Sequence, residues 1–130
     1  MSKIIIEFKK GGSFEIILNE KDAPETCKGF LKNIPYNASI LQARYSGEEF
    51  FYKIPIEVGL ENNVIPEVGD ISFNADPKWQ AVCIYYGSKL KIHSPFNLFG
   101  KIEGNLKELK KIGERVWTEG KEDITIKKVE

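Results

Sequence analysis

The sequence predicts a mainly β protein: a closed antiparallel β-barrel of about eight short strands, its ends capped by two short helices. Three observations lead there. Short runs of alternating apolar residues recur along the chain, bounded by Gly, Asn, Asp or Pro. Only two stretches show helical spacing, and a lone amphipathic helix among strands commonly closes the open end of a barrel. Ile4-Ile5-Ile6 near the N-terminus would present an apolar edge unless the last strand paired with it. At 130 residues and 42% hydrophobic composition, the chain reads as one domain over residues 1–130. A domain of this size buries roughly two-thirds of its unfolded surface.

Lys3 to Lys9 is the first predicted strand, with Ile4, Ile6 and Phe8 on one face. Lys10-Gly11-Gly12 reverses it, and Phe14, Ile16 and Leu18 alternate along its hairpin partner. The best-punctuated helix follows. Asp22 is placed to cap its N-terminus, Glu25 to complete a capping box, and Pro24 falls in the first turn. Ala23, Cys27, Phe30, Leu31 and Ile34 form one apolar stripe, and Pro35 stops the helix. That stripe predicts a plug and no chemistry.

Asn37 to Tyr45 and Glu48 to Ile54 read as a strand pair reversing at Ser46-Gly47. Phe50, Tyr52 and Ile54 share one face of the second strand, and Phe51 lies on the other. Pro55 to Pro66 is a loop, and Ile71-Ser72-Phe73 a short strand. Gln80 to Tyr86 is a nearly continuous apolar run, as in a strand buried on both faces. Gly87 to Pro95 is a second long loop before a strand over Asn97 to Glu103. Asn105 and Glu108 offer another capping box, predicting a two-turn helix that stops at Gly113. Arg115 to Thr118 and Asp123 to Val129 read as the closing strands.

Composition narrows the function classes. Nineteen basic residues balance nineteen acidic ones, so no basic field for nucleic acid or a membrane surface is expected. No apolar run reaches the ~18 residues of a membrane span. The N-terminus is charged too early for a signal peptide, which predicts a cytoplasmic protein. Charge carried mainly by Lys and Glu, with Gln42 and Gln80 the only glutamines, is a pattern of heat-adapted organisms. The two cysteines, Cys27 and Cys83, read as small core residues. With His93 the single histidine, they lack metal-ligand spacing, and no phosphate-binding glycine motif appears, so no metal and no cofactor is expected. Glu48 and Glu49 are adjacent and fall on opposite strand faces, which argues against an acid–base pair.

Three segments resemble the cyclophilin fold in order and spacing. They are Ile16-Ile17-Leu18 through Ala23-Pro24-Glu25-Thr26 to Phe30, then Val68-Gly69-Asp70-Ile71-Ser72-Phe73, then Asn97-Leu98-Phe99-Gly100-Lys101-Ile102-Glu103-Gly104 with the helix after it. Ser94-Pro95-Phe96-Asn97, and Gly47-Glu48-Glu49 with Phe51 after Arg44, look like the small cyclophilin-like family of uncharacterised bacterial and archaeal proteins. In cyclophilins an arginine hydrogen-bonds toward the prolyl nitrogen and weakens amide resonance, an aromatic pocket holds the proline ring, and a glutamine and a histidine complete the rim. The resemblance places Arg44 at the arginine position. Elsewhere the sequence departs from the pattern. Tyr52 stands near the glutamine position and Phe96 at the histidine position, with His93 three residues earlier. Gln80-Ala81-Val82-Cys83 replaces a serine-glutamine-phenylalanine-phenylalanine strand.

What the resemblance implies is therefore a retained scaffold with altered chemistry. Arg44 would act beside the aromatics Phe50, Tyr52, Trp79, Tyr85 and Phe96 in a groove for a peptide or a small-molecule ligand. Core filling is the competing role for Phe50 and Tyr85, whereas Trp79 follows Asp76-Pro77-Lys78 in a loop and is the strongest binding candidate. The leading expectation is a binding module for a peptide or small ligand. The alternative is a weak peptidyl-prolyl isomerase with Arg44 as its catalytic residue. Association into a homodimer through an exposed apolar patch is a third reading.

Overall fold

Strand β1 (Lys3–Phe8) buries Ile4, Ile6 and Phe8, and it pairs on one side with β2 (Ser13–Leu18). On its other side it pairs antiparallel with the last strand, β8 (Glu122–Lys128), in the register Ile6 opposite Ile126. That pairing closes the sheet. The computed structural model describes residues 2–43, 48–87 and 96–129. Within them lie β3 (Tyr36–Ala43), β4 (Glu49–Lys53), β5 (Asp70–Asn74), β6 (Ala81–Tyr85) and β7 (Phe96–Glu103). The eight antiparallel strands run around the barrel in the order β1-β2-β7-β5-β6-β4-β3-β8. Among the described residues, no helix is long and apolar enough to cross a membrane.

Alternation decides what fills the interior. Phe50 and Tyr52 of β4, Val82 and Ile84 of β6 and Phe73 of β5 are all fully buried in the main apolar core. Helix α1 (Pro24–Asn33) adds Cys27 and Phe30, with Ala23 and Ile34 at its ends. Phe30 meets Phe99 of β7 with ring centroids 5.2 Å apart. The plug is as expected, but its cap is not. Ala23 stands at the N-cap, and Asp22 instead bonds Asn19 through both backbone and side chain. The N–H groups of Glu25 and Thr26, which have no partner within the helix, are satisfied by the carboxylate of Glu61, thirty-five residues away in Thr26's case. A carboxylate at a helix N-terminus is favoured by the helix dipole wherever it comes from in the chain, so the short-range capping box loses to a long-range one.

The second helix also differs from expectation. Asn105 does cap it, accepting from the N–H groups of Lys107 and Glu108. However, α2 (Leu106–Glu119) runs through Gly113 and absorbs Arg115 to Thr118, expected as a strand. Gly113 is a packing position: a Cβ there would run into the ring of Tyr86, which stacks on Phe50 at 5.8 Å. The stop is Gly120, with φ +88°. Leu109, Ile112 and Val116 bury the face that closes this end of the barrel.

Several acids of high intrinsic pKa are buried neutral. Burial, reinforced by Glu20 and Glu61, pushes the Cys27 thiol up to about 12 from 9.0. Burial likewise raises Cys83, Tyr52 and Tyr85 above their ordinary values. Each group is protonated in both states below about pH 8, and above that the unfolded chain releases its protons first, the cysteines before the tyrosines. The unfolding free energy should therefore hold to about pH 8 and fall steadily toward pH 12. Urea titrations across that range check this, and a flat profile would contradict it.

Candidate functional site

Residues that alternate with the core positions of β4 and β6 face away from the barrel axis. Phe51 lies opposite Cys83, Glu49 opposite Tyr85 and Lys53 opposite Ala81. On the next strands Asn74 pairs with both Ala81 and Phe96. Across this face lies a pocket of about 330 Å³, lined by Ala43, Glu49, Phe51, Asn74, Trp79, Ala81, Cys83 and Phe96. Its walls are mainly apolar, with one carboxylate and one amide. That composition suits a small ligand with an apolar body and a few polar contacts.

Trp79 forms the rim. Its side chain is 51% exposed, and Lys53 Nζ stands 5.5 Å from its ring centroid. The loop that carries it is firmly built. Asp76 accepts from the Lys78 N–H through its side chain, and from those of Trp79 and Gln80 through its carbonyl. Gln80 is held left-handed at φ +43° and donates its side-chain amide to the Ile56 carbonyl at 3.1 Å. A non-glycine residue in that region costs of order 1–3 kcal/mol, so the surroundings over-determine where Trp79 leaves the sheet.

Beneath the pocket, Cys83, Tyr85 and Phe96 form a separate apolar cluster with Phe51 packed on it. Burial, then the nearby carboxylate of Glu49, keeps the Cys83 thiol neutral. Burial, then Cys83 and Glu49, raises the Tyr85 hydroxyl, and a hydrogen bond with Ser72 partly opposes the shift. Glu49 itself is 2% exposed. No group of three or more His, Cys, Asp or Glu that could hold a metal ion occurs among the described residues.

Of the residues singled out from sequence, the structure brings Trp79 and Phe96 together in one pocket and sets Tyr85 in the cluster beside it. It does not bring Phe50 and Tyr52 there: both are inside the barrel, at 0% and 1% exposure. Arg44, His93, Ser46-Gly47 and Ser94-Pro95 lie outside the described residues. Phe51, Glu49 and Cys83 were not foreseen as site residues. The signal for them was period two, since Phe51 shares its face with Trp79 and Cys83 whenever Phe50 and Tyr52 point inward.

A larger hollow of about 630 Å³ lies over β1, β3 and β8. Four of its polar side chains already pair with each other, Ser39 with Asp123 at 2.6 Å and Thr125 with Asn37 at 2.7 Å. That leaves it less to offer a ligand than the Trp79 pocket.

Known proteins match this chain as follows. No curated protein sequence matches it. Among solved structures, McbB in complex with tryptophan has a TM-score of 0.75 at 17% identity, covering 96% of this chain. This chain spans 44% of that one. The solution structure of the hypothetical protein AF2241 from Archaeoglobus fulgidus has a TM-score of 0.72 at 21% identity, covering 98% of this chain and 95% of that one. At such identities these likenesses show the barrel fold and nothing of its use. A family model described as "Protein of unknown function (DUF3830)" matches residues 6–128. The chain belongs to that family.

Proposed function

We propose that this protein is a binding module of cyclophilin-like architecture. Its ligand, an apolar or aromatic small molecule or a peptide side chain, would seat between Trp79, Phe96 and Phe51 on the outer face of the barrel. One observation carries this reading: a half-exposed tryptophan on a rigid loop overhangs an apolar pocket of about 330 Å³. Lys53 beside the Trp79 ring supplies a cation for a ligand carboxylate at the rim. The cyclophilin-like description is supported by the closed eight-strand antiparallel barrel, with one helix plugging it through Phe30.

The test is a thermal-shift screen of indole, tryptophan, other aromatic metabolites and proline-containing peptides. McbB's complex with tryptophan is the reason to begin with the first two. A ligand at a hundred times its Kd stabilises the fold by about 2.7 kcal/mol, which a melting curve resolves. Trp79→Ala should weaken any hit by about tenfold or more, as truncation of a central aromatic does. No shift across the panel, or hits indifferent to Trp79→Ala, would contradict the reading.

A weak prolyl isomerase working through Arg44 is the second reading. A coupled isomerase assay on the wild type and Arg44→Ala decides it. Activity that is absent, or unchanged by the substitution, would sink it.

A further inference from the structure

Phe96 is the first residue of β7, and the next residue, Asn97, is fully buried and polar. Its side-chain oxygen accepts the N–H groups of Glu61 at 2.6 Å and Asn62 at 2.9 Å. Its Nδ2 donates to the Gly59 carbonyl at 2.8 Å and to Thr26 Oγ1 at 3.2 Å. Those four bonds use the whole capacity of an amide. The neighbouring asparagines tie the same loop to β7. Asn63 donates to the carbonyl of Phe96 itself at 2.9 Å, and Asn62 donates to that of Leu98 at 2.8 Å. The Leu98 N–H returns a bond to the Asn62 carbonyl at 2.9 Å.

The same stretch of loop is also anchored to α1. Glu61 accepts the N–H groups of Glu25 at 3.1 Å and Thr26 at 2.8 Å, and the Thr26 hydroxyl at 2.7 Å. Helix α1 is itself fixed, because Phe30 is locked into the barrel. The start of β7 is thus bonded to a loop that is bonded to a rigid helix. Neither Asn97 nor Glu61 lines the pocket. A barrel needs only ladder bonds to close, whereas this network adds a second set where Phe96 enters the sheet.

We infer that Asn97 and Glu61 are positioning residues of the Trp79 pocket: they hold its Phe96 wall in place by anchoring the start of β7 to α1. This rests on reading that pocket as the ligand site. A wall shifted by one loosened loop changes the fit of any ligand packed against it.

The experiment has a ligand-free and a ligand-bound arm, both read by ¹⁵N–¹H correlation spectra. Without ligand, Glu61→Ala should move the Phe96 and Asn97 amides and the Trp79 indole N–H, leaving those of Ile6 and Ile126 in place. Pocket signals identical to wild type would overturn the inference whether or not any ligand binds. With indole as probe, Glu61→Ala should lose about fivefold or more in affinity, and Glu61→Gln, which keeps one acceptor, should recover part of it. Ile126→Val weakens the barrel wall away from the network and should bind indole as wild type does. An equal loss in Ile126→Val would mean that stability alone governs binding, and would overturn the inference. If wild type binds neither indole nor any panel member, the ligand-site reading fails and the ligand-free spectra still decide the positioning role. Should Glu61→Ala fail to fold, Glu61→Gln carries the same two readouts.

Discussion

Phe30→Ala should lower the unfolding free energy by about 3–5 kcal/mol, the range for removing a fully buried aromatic from a core that cannot collapse around the void. Phe30 is 1% exposed, on the helix that plugs the barrel, with its ring against Phe99. Strands fill the walls around it, and a closed hydrogen-bonded ring gives them little freedom to move inward. Urea unfolding of the two proteins measures the difference. A loss below about 1 kcal/mol would mean that the α1 stripe is not the plug.

Arg115→Ala should cost about as much for a different reason. Arg115 Nε and Nη2 donate to the two oxygens of Glu122 at 2.8 and 2.5 Å, and Nη2 also reaches the Gly11 carbonyl at 3.0 Å. The guanidinium therefore joins the end of α2, the start of β8 and the first hairpin turn. Glu122 is 2% exposed, and removing its partner strands a carboxylate away from water, at roughly 3–5 kcal/mol. The pair itself is worth less than its breakage, so Arg115→Met combined with Glu122→Leu should recover most of the loss. Equilibrium unfolding of the single and double variants separates the two effects. A single variant within about 1 kcal/mol of wild type would show that water reaches Glu122.

These two sites mark what could be read in the residues and what could not. The strands, the plug and the barrel closure follow from period-two and period-3.6 spacing, which local chemistry sets. Gly113 looked like a helix stop because glycine commonly is one; whether it ends a helix or admits a ring depends on Tyr86, twenty-seven residues back and visible only in three dimensions. Asp22 had the right spacing for a cap, but Glu61 reaches the same N–H groups from the loop before β5. Linear spacing sets Tyr52 near the glutamine position of the cyclophilin pattern. Strand alternation puts it in the core and gives the outer face to Phe51. Trp79 was legible because a loop residue after Asp76-Pro77-Lys78 faces solvent on either choice of register, whereas Phe96, which is buried, was suggested only by the cyclophilin resemblance.

The central claim is that a ligand binds on the outer face at Trp79, while the barrel interior serves only as packing. The chain has two tryptophans, Trp79 at the pocket and Trp117 exposed on α2, so a ¹⁵N–¹H spectrum carries one indole N–H signal for each. Titration with indole should move the Trp79 signal saturably, together with the amides of Phe51, Ala81 and Cys83, and leave Trp117 where it is. A Trp79 signal that stays fixed while Trp117, or the core residues Phe50 and Tyr52, respond would contradict the account.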